Sequence, residues 1–322
     1  MPNITDDPPV DVQNRLAALR DALDSQIPAK SDNNLLISTW NIRSFSSLTR
    51  KWLADANDTP KRDLQGLRSI IEILRRFDVI AIQEVKGNLR ALRDTIRFLG
   101  DDWGFLMTDV NIGDAGNYER FLFLFDRNRV KPSGLAAEIV IPPEDLENAG
   151  PDELRRQFVR PPYAVSFLRK DMTFVLVTLH VLFGDNEAQR LPELQGIANW
   201  MRNWARRTNR FGQNLLALGD FNIDRQGSAG FQAFTSSGLT VPNQLLNLPR
   251  TIFDDPDDLD DDKFYDQIAW FNTGRGGLTN MTPVSGGNFD FMPFVYNQVG
   301  LSRTSISFRV SDHLPLWMEF EI

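Results

Sequence analysis

Two histidines occur in the 322 residues, His180 and His313, and neither reads as packing material. His180 closes the apolar run Phe-Val-Leu-Val-Thr-Leu-His, and His313 follows Asp312 in Val-Ser-Asp-His-Leu-Pro-Leu-Trp. Imidazole titrates near neutrality, so it can take and give protons at working pH. One histidine after a strand is most often structural, but here other strand ends are polar too. The apolar runs are bounded by Asn41 and Arg43, by Glu84, by Asp220 and Asn222 in Gly-Asp-Phe-Asn, by Tyr265-Asp266, and by Asp312-His313. A polar acceptor at the end of an apolar strand is costly to bury alone, so it must face water, a cavity, a partner or a metal. Asn41, Glu84, Asp220, Asn222 and Asp312 all offer oxygen, the donor set of a hard divalent cation. With no cysteine in the chain, thiolate sites and disulfides are excluded, which leaves Mg²⁺, Mn²⁺ or Ca²⁺ as natural guests.

The elements that must position these groups alternate along the chain. Val10, Leu16, Leu19 and Leu23 carry a helical period ahead of the first strand and predict an amphipathic helix on the outside of the domain. Strands are expected at 35–40, 79–83, 121–125, 164–168, 174–180, 215–218, 268–271 and 316–320. Helices are expected at 64–77 and 89–99, and along the stripe of Leu191, Leu194, Ile197, Ala198, Met201 and Trp204. The Gly, Asn and Pro of 273–293 read as loops near the active edge. The acidic run 254–262 reads as a solvated loop, since it lacks the glycine and terminal glutamate of an EF-hand. Arg190 opens the long helix and is expected to pair locally. Lys86 is expected to be solvated.

Length and a 42% hydrophobic content allow one large α/β domain. A net charge of −8 argues against a protein that coats nucleic acid nonspecifically, though not against a nuclease whose metal site is itself acidic. The first residues carry no basic and apolar leader, and no apolar run reaches about 18 residues. A soluble cytoplasmic protein with no membrane contact is therefore expected, or a secreted one if a leader has been trimmed, with a monomer as the default.

Trp-Asn-Ile-Arg-Ser-Phe, Phe-Asp-Val-Ile-Ala-Ile-Gln-Glu-Val, Glu-Arg-Phe-Leu-Phe-Leu-Phe, Phe-Val-Arg-Pro-Pro, Gly-Asp-Phe-Asn, Tyr-Asp and Ser-Asp-His stand in wide, ordered separation. This set resembles the endonuclease/exonuclease/phosphatase superfamily, and within it the deoxyribonuclease I branch, from about Leu35 to the C-terminus. The resemblance implies an α/β four-layer sandwich: two packed mixed or antiparallel β-sheets flanked by helices, with catalysis at one rim. It implies a catalytic domain over 35–322 behind an N-terminal extension over 1–34. It makes Glu84 the central metal ligand, with Asn41, Asp312 and Asp220 beside it. Asp220 and Asn222 would serve the phosphate side, with Arg160 and Arg43 as phosphate contacts. His313 backed by Asp266 would be the base toward water, and His180 backed by Glu119 the acid toward the leaving oxygen.

A divalent-metal phosphodiesterase acting on DNA is the function this implies. The same machinery could instead serve a phosphomonoester or a phospholipid headgroup, and a catalytically silent binding module is a third reading. Arg43 could equally be a structural ion-pair partner, and Glu119 with Arg120 a surface pair. The chain departs from the branch at Asn117, where a tyrosine is expected, at Lys86, where a point charge replaces the planar fork of arginine, and at Gln267. Phe264 and Tyr265 stand where the inositol-phosphatase branch carries tryptophan and cysteine. These departures bear on substrate grip more than on chemistry.

Overall fold

The computed structural model describes residues 1–111, 117–147, 157–206, 214–255, 263–272, 277–297 and 299–322. In its first half the elements are α1 (Val10–Gln26), β1 (Asn34–Phe45), α2 (Leu64–Leu74), β2 (Val79–Val85), α3 (Arg90–Leu99), β3 (Trp103–Met107), β4 (Arg120–Asp126), β5 (Lys131–Glu138) and α4 (Pro143–Glu147). The second half adds β6 (Tyr163–Arg169), β7 (Met172–His180), α5 (Leu191–Ala205), β8 (Leu215–Asp220), α6 (Ala229–Thr235), β9 (Leu239–Thr240), β10 (Asp266–Phe271), β11 (Thr282–Asn288), α7 (Arg303–Ser307) and β12 (Leu316–Glu321). The strands form two six-stranded mixed sheets, in the orders β11-β12-β1-β2-β4-β3 and β5-β6-β7-β8-β10-β9. Each sheet has one parallel pair, β1 with β2 and β7 with β8, among antiparallel neighbours.

The period of two along a strand decides what each face meets. In β1, Leu35 and Ile37 join the core shared with the second sheet, whereas Leu36, Trp40 and Ile42 join the core under α1, α2 and α3. In β2, Val79 and Ala81 face the first core, and Ile80 and Ile82 the second. α5 closes the second sheet with Leu194, Ile197, Ala198 and Met201. The result is helix, sheet, sheet, helix, and each fully buried aliphatic side chain contributes about 1.5–3 kcal/mol. α2 begins at Asp63, whose carboxylate accepts from Gly66 N at 2.9 Å, a side-chain cap on an otherwise orphaned amide.

α1 buries Val12, Leu16, Leu19 and Leu23 in the same core as α2, while Val10 is 72% exposed at the first helical position and belongs to no stripe. Arg15 of this helix donates to Gln65 of α2 at 3.2 Å.

The structure adds strands where the sequence pattern is weak. β3, β5, β9 and β11 are edge or near-edge strands, and β11 lies inside the stretch read as loop. β11 is polar and glycine-rich, but it pairs with β12 from Thr282↔Glu321 to Asn288↔Leu316, so cross-strand register supplies what its own side chains do not. Of the acidic run, residues 256–262 lie outside the described residues, as do 273–276. No helix among the described residues is long and apolar enough to cross a membrane.

Candidate active site

Seven polar side chains reach one rim because of strand direction. Asn41 lies toward the end of β1, Glu84 toward the end of β2, and His180 and Asp220 close the parallel strands β7 and β8. Asp266 opens β10, Glu119 immediately precedes β4, and His313 lies just before β12. These last strands run antiparallel to their neighbours, so their beginnings meet the others' ends. Below this rim lies a buried polar layer, in which Gln83 Nε2 donates to Thr39 Oγ1 at 3.1 Å and to Thr178 Oγ1 of the other sheet at 2.9 Å.

Glu84 would point toward the helices if β2 kept strict alternation. It does not, because the ladder slips between Ile82 and Val85 against β4, and between Asn41 and Phe45 against β1. Glu84 itself takes φ +61°, a left-handed conformation costly for a residue with a Cβ. Such a bulge re-aims a side chain, here toward the rim. Ser44 N donates to Glu84 Oε2 at 2.8 Å and holds it there. Asn222 is likewise left-handed at φ +49°, its amide donating to Val181 O at 2.7 Å and its backbone N to Asp220 Oδ1 at 3.0 Å.

Both imidazoles converge on one oxygen. His180 Nε2 lies 3.5 Å and His313 Nε2 3.9 Å from Asp220 Oδ2. Asn41 Nδ2 donates to the same oxygen at 2.9 Å across the gap between the sheets. Behind each ring stands a carboxylate. His313 Nδ1 meets Asp266 Oδ2 at 2.6 Å, and His180 Nδ1 meets Glu119 Oε2 at 2.9 Å. Arg160 Nε is 3.0 Å from the same Glu119 oxygen; both Glu119 Oε2 contacts are of ion-pair length, but their N–H directions are poorly aligned for hydrogen bonding. Lys86 Nζ and Asn117 Nδ2 take Oε1, at 2.9 and 2.5 Å.

Glu119 is therefore a buried hub, not half of a surface pair with Arg120, and Lys86 is not solvated but tied to it. Arg43 is also committed: Nη1 binds Asp312 Oδ2 at 3.1 Å and Ser307 Oγ at 2.9 Å, with the guanidinium over Phe308. Arg190 reaches past its own turn to Asp224, so its partner is not local.

These contacts shift the protonation of the cluster. Burial lifts the Glu119 carboxyl, but His180, Arg160 and Lys86 overcome that and bring it down to about 2. Burial and Arg160 pull His180 down, and Asp220 with Glu119 outweigh them, leaving it raised. Burial also opposes charge on His313, yet Asp266, Asp220 and Asp312 carry it well above its ordinary value. Burial pushes Asp266 up to about 6 against the pull of His313. Both members of this second pair thus move upward. The shift that governs the charge is that of His313, because three carboxylates face it and Asp266 is only 2.6 Å away.

The residues from 38 to 313 match the model of the endonuclease/exonuclease/phosphatase family. The chain belongs to this family. Members of the endonuclease/exonuclease/phosphatase family are hydrolases of phosphate esters and generally depend on divalent metal. It is 26% identical over 202 residues to a deoxyribonuclease of Thioalkalivibrio sp. (strain K90mix), a match covering 61% of this chain but only 48% of that relative. It is 24% identical over 291 residues to bovine deoxyribonuclease-1, covering 88% of this chain and 91% of the bovine one. The fold is similar to that of the human Nocturnin catalytic domain, at TM-score 0.58 and 17% identity, over 91% of this chain and 96% of that one.

The residues fit the divalent ion this family uses. Asn41 Oδ1 is buried and meets no hydrogen-bond donor, which leaves an orphaned acceptor beside Glu84, whose Oε1 is 3.3 Å from Asn41 Nδ2. Glu84, Glu119 and His180 each offer an atom within 4.8 Å of the others. Of these three, Glu84 is the better ligand, because both Glu119 oxygens already face cations or donors. Sequence reasoning passed over Ser44 and Ser311. Ser311 Oγ donates to Asn41 O at 2.7 Å and accepts from Arg43 N and His313 N, tying the two segments together. Buried Arg62 donates to Ser44 O and Arg43 O at 2.8 and 2.6 Å from beneath. Both serines stand inside the sequence motifs, but their bonds go to Glu84, Asn41 and Arg43, distant in the chain, so pattern alone assigns them no role.

Proposed function

We propose that this phosphoesterase is a deoxyribonuclease-type phosphodiesterase that hydrolyses DNA with Mg²⁺ or Mn²⁺. The observation that carries the reading is the convergence of both imidazole Nε2 atoms on Asp220, each ring backed by its own carboxylate. The names of the relatives, bacterial and bovine deoxyribonucleases, support DNA as the substrate.

In this reading His313 takes a proton from water as its oxygen attacks phosphorus, and His180 gives a proton to the oxygen that leaves as the P–O bond breaks. Asp266, by a hydrogen bond, and Glu119, by an ion-pair contact, face each ring at Nδ1, so that Nε2 is the working atom. Asp220 and Asn222 hold the polar floor between the rings, and Arg160 offers charge to the phosphate while braced on Glu119. Glu84 and Asn41, with Asp312 nearby, would hold the divalent ion. That ion supplies positive charge that offsets the phosphate oxygens and works against excess protonation of neighbouring imidazoles. Phosphoryl transfer asks mainly for such positioning and charge neutralisation. Arg43 serves here as the brace of Asp312 rather than as a phosphate contact.

Supercoiled plasmid, inositol phosphates and a sugar phosphate, each with Mg²⁺, Mn²⁺ or chelator, test this directly. Ion-dependent nicking with slow or no release of phosphate from the small esters is expected. Turnover of the small esters with intact plasmid, from folded protein, would move the reading to a phosphomonoesterase.

A further inference from the structure

Phe183, just beyond His180, is 57% exposed, and yet both its backbone and its ring have partners. Arg190 lies 5.5 Å from its ring centroid and donates from Nη1 to Phe183 O at 3.0 Å. Arg190 is itself buried and paired with Asp224. The Phe183 ring meets Tyr265 edge-on at 6.4 Å, and Tyr265 stacks on His313 at 5.8 Å and 29°. Three rings thus form a continuous track from an imidazole of the site out to solvent. Single exposed apolar side chains are common and mean little. An exposed ring joined ring by ring to the site is different.

Charge narrows what the track can meet. Arg43 is paired with Asp312, Lys86 with Glu119 and Arg190 with Asp224, which leaves Arg160, braced on Glu119, for the scissile phosphate itself, within a chain of net charge −8. Gripping a duplex relies chiefly on cations that neutralise phosphates on both strands. An unpaired strand also offers the faces of its bases, which stack on aromatic rings whatever the sequence. We propose that Phe183 is the platform for an unpaired base beside the scissile phosphate, and that single-stranded DNA is the preferred substrate. The inference rests on the phosphodiesterase reading above and narrows it.

One oligonucleotide sequence tests it in three forms: single-stranded, duplex, and single-stranded with an abasic site moved along the strand. The wild type is expected to cleave the single strand faster than the duplex. An abasic site at one position next to the cut should slow it by about 5- to 100-fold, the range of one base–aromatic stack. Phe183→Ala should lose a similar factor on the intact single strand and become indifferent to the abasic site, and Phe183→Trp should restore both the rate and the sensitivity. Equal abasic penalties in wild type and Phe183→Ala, or a duplex cleaved as fast as the single strand, would overturn the inference while leaving the nuclease reading intact. Folded wild type that cleaves neither form would overturn both.

Discussion

The two imidazole arms are built from the same parts in opposite directions. In one, Glu119 from the first sheet backs His180 of the second; in the other, Asp266 from the second sheet backs His313, which borders the first. Their surroundings differ sharply. Glu119 sits among Lys86, Arg160 and His180 and is held down at about 2, whereas Asp266 is wholly buried and pushed up to about 6. The first carboxylate is a charged hub in a network, and the second is a dedicated partner of one ring. The same motif therefore behaves differently because cations gather round the carboxylate in the first arm, whereas carboxylates gather round the ring in the second.

The largest effects should come from the rings. His180→Ala and His313→Ala are each expected to lower DNA hydrolysis by about 10²–10⁴, the worth of a positioned acid or base, in protein shown by circular dichroism to be folded at the assay temperature. A variant with wild-type rates would remove its arm from the account. Next is Asp266→Asn, which keeps the shape but lets the His313 tautomer turn. A loss of about 10²-fold or more in kcat is expected, with a displaced pH–rate profile that a merely structural role would not produce.

Gly219 underlies both arms equally. Its φ is +142°, and a Cβ there would lie 2.1 Å from Leu179 O in the β7–β8 pair, next to Asp220. Gly219→Ala should destabilise by about 3 kcal/mol or more, read from denaturant midpoints. A neutral result would show that the parallel pair is not rigid.

Glu119 gives a signed test of the first arm. Its folded carboxyl titrates at about 2 against an ordinary 4.5, so the unfolded chain binds more protons across that window. The stability it contributes is fully present above about pH 4.5 and is lost as pH falls toward 2. Glu119→Gln should flatten that acid limb in urea midpoints taken along a pH series. The smallest effect is expected from Lys86→Met, which removes one of several donors to Glu119; a less than about tenfold loss of rate should follow, confined to the first arm.

What the sequence made legible follows from local physics. Long central strands such as β2 and β8 are continuous apolar runs, and their ends carried Glu84 and Asp220 into view. The apolar run of β1 reaches only Trp40, because polar Asn41 and Arg43 interrupt it, although pairing extends the strand to Phe45. β5 holds Pro132 and Gly134 and is largely exposed, so only its pairing with β6 makes it a strand. Within the site, the two rings and Asp266 stand beside apolar runs and are visible there, whereas Glu119 behind His180 comes only from the family resemblance. The left-handed bulge at Glu84, the hub role of Glu119, and the ties of Lys86, Arg43 and Arg190 depend on contacts from distant segments, which no local pattern records.

On the proposed mechanism, two imidazoles from opposite arms serve one phosphate. Rates of Mg²⁺- or Mn²⁺-dependent DNA hydrolysis by His180→Ala, His313→Ala and the double variant measure it most directly. Groups acting as one unit are strongly non-additive, so the double variant should be little worse than the weaker single variant. Losses that multiply, or one ring whose removal costs nothing, would contradict the account.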